Sequence, residues 1–64
     1  MEHHPKIYRI KDVCWLTGLK PSTIYKLVRS KAFPPSIALT ARSTGWPSDA
    51  VDNWINSRIK EASK

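Results

Sequence analysis

The stretch Gly18-Leu19-Lys20-Pro21 separates two short apolar patterns, and it constrains the fold more than any other part of the chain. Glycine suits the left-handed residue that ends a helix. Proline suits the first position of the next one, where its missing N–H needs no partner. Before the break, KDVCWLTG reads as a helix of about two turns, with Asp12 placed where the helix dipole favours an anion. After it, PSTIYKLVRSK carries Ile24, Leu27 and Val28 at helical spacing. Helices this short are marginal in water by themselves, so they must pack against each other and against something further along the chain.

The rest of the chain supplies that packing. IYRI, residues 7–10, reads as a short extended or turn-like entry. Pro34 and Pro35 stop the second helix, and Ile37 and Leu39 alternate ahead of a polar stretch and Trp46. This predicts a small two-stranded hairpin with its tip at residues 40–43, carrying Arg42 and Ser43. Ser48 offers an N-cap, Asp49 a first-turn anion, and Val51, Trp54, Ile55 and Ile59 an apolar stripe, so a third helix is expected over roughly residues 48–61. The expected core is Val13, Ile24, Leu27, Val28, Leu39, Val51, Trp54 and Ile55, with Cys14 where the first two helices cross and Trp46 packing the hairpin on the last helix. Trp15 points away from that core. It is either an exposed anchor for a protein interface, such as a neighbouring copy on DNA, or packed on the N-terminal residues or the last helix.

At 64 residues the chain holds one small core and leaves little room for an enclosed substrate cleft, so an enzyme is not expected. Eleven Lys and Arg against five Asp and Glu give a net charge of +6, a balance that favours polyanions. The distribution says more than the total. No acid occurs between Asp12 and Asp49, whereas Lys20, Lys26, Arg29, Lys31 and Arg42 all fall there. A lone Cys14 excludes an internal disulfide and fits a reducing compartment, and no apolar run is long enough to span a bilayer, so a cytoplasmic protein is expected. His3 and His4 with a single distant cysteine do not make a metal site of known spacing, and no cofactor is expected.

Two helices joined by a Gly-containing turn form a helix-turn-helix, whose second helix can lie in the major groove of double-stranded DNA. Ser22, Thr23, Lys26, Arg29 and Ser30 fall away from the apolar stripe of that helix, and Tyr25 lies at the border. Lys20, Lys26, Arg29 and Arg42 are the expected phosphate contacts, with Arg42 alternatively entering the minor groove. Ser22, Thr23 and Tyr25 reach base edges or the DNA backbone. Alternatively the two hydroxyls satisfy their own first turn and Tyr25 is partly core.

IYRIKDVCWLTGLKPSTIYKLV, then FP, then GW ahead of DAVDNWI, resembles the AlpA-like phage regulatory proteins over residues 7–56. The resemblance implies a winged helix-turn-helix of the MerR and excisionase type: mainly α with a small β-hairpin, and three helices. The domain is expected at residues 7–61, with tails at 1–6 and 62–64. It also implies a transcriptional regulator of a prophage or genomic island, often acting on an integrase gene. The alternatives are an excisionase-type recombination directionality factor and a protein-interaction module such as an anti-repressor. STIY matches the family's start of the recognition helix, and ARSTGW matches the wing, including Arg42 and Ser43. Lys20 and Pro21 stand where relatives commonly have Ser and a basic residue, and the TAR tip lacks the Gly frequent there, which leaves its turn type open. Self-association on DNA is a possible further partner interaction. No small-molecule effector is expected, because no long heptad segment follows the last helix.

Overall fold

The computed structural model describes residues 6–62; His3 and His4 lie outside them. The elements run β1 (Ile7–Tyr8), α1 (Ile10–Thr17), α2 (Pro21–Arg29), β2 (Ile37–Ala38), β3 (Thr44–Pro47) and α3 (Ser48–Ala62). Three helices and a small antiparallel sheet make the chain mainly helical, with the architecture of a winged helix-turn-helix.

The breaks expected from sequence are where the helices end. Gly18 closes α1 in the left-handed region at φ 73°, donating its N–H to the Cys14 carbonyl at 2.8 Å. Thr17 tightens the turn by donating its hydroxyl to the Val13 carbonyl at 2.8 Å and accepting the Leu19 N–H at 3.3 Å. At the other end of α1, Asp12 accepts the Arg9 N–H at 3.0 Å, so its carboxylate serves as half of a capping arrangement as well as a dipole partner.

α2 ends differently. Ala32 donates to the Leu27 carbonyl at 2.8 Å and Lys31 to that of Val28 at 3.1 Å, the paired bonds of a Schellman turn. Its left-handed position is held by Lys31 at φ 66°, the one non-glycine residue with positive φ among the described residues.

The sheet departs from the expected two-stranded hairpin. β3 is central: Ile7 and Tyr8 of β1 pair with Pro47 and Trp46 on one side, and Ile37 and Ala38 of β2 with Gly45 and Thr44 on the other. The entry segment is therefore a third strand. Its ladder continues into the helix start, where Ser48 donates its N–H to the Lys6 carbonyl at 2.9 Å, so Ser48 is the first residue of α3 and not its N-cap. Gly45 permits this arrangement. A Cβ there would run into the Ile7 side chain and press on the Tyr8 carbonyl at 3.1 Å.

The core takes a residue from nearly every element: Tyr8 from β1, Val13 from α1, Ile24 from α2, Trp46 from β3, Val51 from α3 and Phe33 from the connection after α2. Cys14, Leu27, Val28, Trp54 and Ile55 pack at its margin, half-buried. Leu39 was expected in the core, but it is 37% exposed, and both β2 residues are exposed too. β2 is an edge strand whose two residues are both exposed, so alternation along it does not lead into the interior. Tyr8 and Phe33 are the core residues that periodicity missed.

Trp46 donates its indole N–H to the Pro34 carbonyl at 2.8 Å, Trp54 donates to the Ala32 carbonyl at 2.7 Å, and Phe33 lies edge-on to both rings. Tyr8 donates its hydroxyl to Asp52 Oδ1 at 3.0 Å. Burial, then that hydrogen bond, then the charges of Asp52, Asp12 and Asp49, push the Tyr8 phenol above its ordinary value.

Two outcomes follow for thermal melts. Lys31→Gly relieves the left-handed strain and stabilises the fold by about 0.5–1 kcal/mol, a rise of roughly 4 °C in Tm. A phenol whose native value is raised supports the fold below its unfolded value of about 10 and loses that support as pH rises through the native value. Tyr8→Phe therefore costs about 1 kcal/mol at pH 7 and flattens the alkaline fall in stability above about pH 10.

Candidate nucleic-acid interface

α2 turns Ile24 fully inward and keeps Leu27 and Val28 half-buried. Its other side carries Ser22, Tyr25, Lys26 and Arg29, spaced three, four and seven residues from the first and thus on one exposed stripe. Thr23 stands beside this stripe, half-buried, one turn before Lys26. Lys20 precedes the helix in extended conformation and is exposed, and α2 begins with no side-chain cap and no acid in its first turn. Lys26 and Arg29 are neighbours on this stripe, three residues apart, and both are open to water, which screens their repulsion.

Tyr25 joins this face to the wing. It is 44% exposed, and its ring leans on Trp46 with centroids 6.3 Å apart. The reading of Tyr25 as partly core therefore holds: its ring rests on Trp46 while the residue stays partly exposed on the α2 stripe. Because Trp46 belongs to β3, the same contact fixes the root of the wing beside α2.

The wing tip, residues 39–43, forms its turn without glycine. The Thr40 hydroxyl accepts the N–H groups of Arg42 at 3.2 Å and Ser43 at 3.1 Å, and the Ser43 carbonyl accepts those of Leu39 at 2.7 Å and Thr40 at 3.2 Å. A hydroxyl-centred turn therefore replaces the usual glycine. It leaves the Arg42 side chain exposed at the tip and Ser43 half-buried, with its backbone used in the turn.

The structure gathers Lys20, Ser22, Thr23, Tyr25, Lys26 and Arg29 on or beside α2 and sets Arg42 and Ser43 on the neighbouring wing. Ser30, read with the polar face, donates its hydroxyl to the Leu27 carbonyl at 3.1 Å and so serves the helix end. Lys31 is a further cation at that end, exposed, which spacing alone did not single out. Among the described residues, no helix is long and apolar enough to cross a membrane.

Fold and surface together define a small winged helix-turn-helix protein. Comparison with known proteins agrees: the family model described as Prophage CP4-57 regulatory protein (AlpA) matches residues 6–59, and the chain belongs to that family. It is similar to Uncharacterized protein ORF88 of Enterobacteria phage P4, with 37% identity over 54 residues covering 84% of this chain and 61% of that protein. The chain thus spans less than two thirds of the length of this relative. No solved structure matches the chain.

The hydroxyl-centred turn can be checked directly. Thr40→Val keeps the shape and removes the acceptor, so faster amide exchange at Arg42 and Ser43 is expected, with the melting temperature of the core changed by no more than about 2 °C.

Proposed function

We propose that this chain is a sequence-specific, DNA-binding transcriptional regulator of a prophage or genomic island that acts on an integrase or excision gene. The observation that supports this most is the exposed α2 stripe, basic and free of acids, held against a wing that carries a further arginine.

α2 enters the major groove by its N-terminal half. There Ser22 and Thr23 hydroxyls and the Tyr25 phenol meet base edges or the adjoining backbone. Lys20 sits at the mouth of the groove, Lys26 and Arg29 lie along the helix, and Arg42 reaches from the wing to the neighbouring backbone. Each displaces counterions from phosphate. The Tyr25–Trp46 contact sets the distance between the two footholds, so helix and wing engage as one rigid unit. Binding is the whole activity in this reading, and it calls for no cofactor, metal or small-molecule effector. In this reading the protein works in the cytoplasm, where its operator is.

A salt series on DNA from upstream of the protein's own gene and of an adjoining integrase gene, set beside a scrambled duplex, tests the proposal. Tighter binding to the native fragment at physiological salt is expected, with a log-log slope between about −3 and −4 for four phosphate contacts. Lys26→Ala reduces that slope by about one on every duplex. Equal, weak binding to native and scrambled DNA overturns the reading. A footprint over an attachment site instead of a promoter assigns the excision role.

A further inference from the structure

Trp15 is 84% exposed, and nothing in the DNA-facing arrangement uses it. With Leu16, Tyr8 and Asp12 it lines an open groove of about 300 Å³ on the outer side of α1. The groove has an acidic border. Asp12 is in its wall, Asp52 is bonded to Tyr8 at 3.0 Å, and Asp49 lies one turn before Asp52 on α3. These are three of the four acids in residues 6–62, the fourth being Glu61. Lys11, one turn before Trp15, and Arg9, ahead of α1, put two cations near the same margin. Carboxylates beside an exposed indole repel phosphate, so the groove fits a protein segment that is apolar and cationic.

The chain carries such a segment. α3 runs on past Trp54 and Ile55, the last residues packed at the core, and residues 56–62 are all exposed. This extension projects about 10 Å and presents Ile59, 59% exposed, between Arg58 and Lys60. Arg58 lies 5.4 Å from the Trp54 ring centre and 3.5 Å from Glu61, so this end carries two cations and one acid. Two copies of a +6 protein repel over most of their surfaces. Contact between the α3 end of one and the acid-bordered groove of the next brings opposite charges together and covers two exposed apolar side chains.

We propose that the Trp15 groove receives the Arg58-Ile59-Lys60 end of α3 from a second copy of this chain. Each copy has one groove and one projecting end, so the contact is heterologous and propagates along a row instead of closing a pair. A patch of this size gives a weak complex, which matters once DNA holds copies side by side and raises their effective concentration to about the millimolar range. That last step rests on the DNA-binding reading above; the contact itself does not.

The test therefore begins without DNA. In a dilution series of free protein up to millimolar, the Trp15 indole N–H and Ile59 methyl NMR signals shift together. Trp15→Ala and Ile59→Asp each abolish the shift of the partner signal, and melting curves confirm that both variants fold, with Ile59→Ser as substitute if Ile59→Asp does not. Mixing the two variants restores association, because one keeps the projecting end and the other keeps the groove. On a duplex with two tandem sites, each variant loses cooperativity of at least about fivefold while single-site affinity stays within about twofold. Signals that do not move at millimolar protein overturn the proposal. So does a mixture that associates no better than its parts, or a Trp15 shift indifferent to Ile59, which assigns the groove to another Trp15 or to a different protein.

Discussion

The burial of Trp46 is the constraint on which the remaining structure hangs. Its indole N–H has a partner in the Pro34 carbonyl, without which burying it would cost about 1–3 kcal/mol, and its ring meets Phe33 and Tyr25. Through those contacts one side chain ties the central strand to the connection after α2 and to the exposed face of α2 itself. β2 contributes no buried residue, so the hairpin holds the core through β3. The wing is aimed by Trp46 and by the pairing of β3 with β1.

With so few interior positions, nearly every element contributes one buried residue and gives the rest of its surface to solvent or to partners. That economy explains how a chain this short keeps a basic helix face and a separate acid-bordered groove without interference. Among the described residues the acids are Asp12 in the first turn of α1, Asp49 and Asp52 near the start of α3, and Glu61 near its end, while the cations of α2 and the wing lie where no acid is near in sequence. Charge separation along the sequence becomes charge separation in space because α2 and the wing come from one continuous segment.

Much of this architecture is legible in the sequence. Gly18, Pro21 and the Pro34-Pro35 pair punctuate the helices because their backbone constraints are local, and the stripes of α2 and α3 identify Ile24, Val51 and Trp54 by spacing. The stripe of cations and hydroxyls on α2 follows from the same geometry, whereas spacing turned Trp15 away from the core without deciding between exposure and packing on a neighbouring segment. What escaped depends on distant pairing. Two residues of β1 carry no periodicity, so Tyr8 and the third strand could not be inferred locally, and Phe33 is buried from a loop. Leu39 was misplaced because alternation shows that two residues share a face, not which face is covered. The Thr40 hydroxyl substituting for a glycine turn had a faint sign in its spacing to Arg42 and Ser43, whereas the left-handed Lys31 had none.

The construction of the wing bears on how such a protein changes over generations. Gly45, at the root, is pinned by Ile7 and the Tyr8 carbonyl, whereas the end of the tip, residues 40–43, is shaped by its own short turn. Substitution at the root disturbs the sheet, while substitution at Ala41 or Arg42 leaves folding untouched. Selection can therefore vary the tip while the scaffold stays fixed, and a grafted loop of similar turn chemistry would leave the sheet and core as they are.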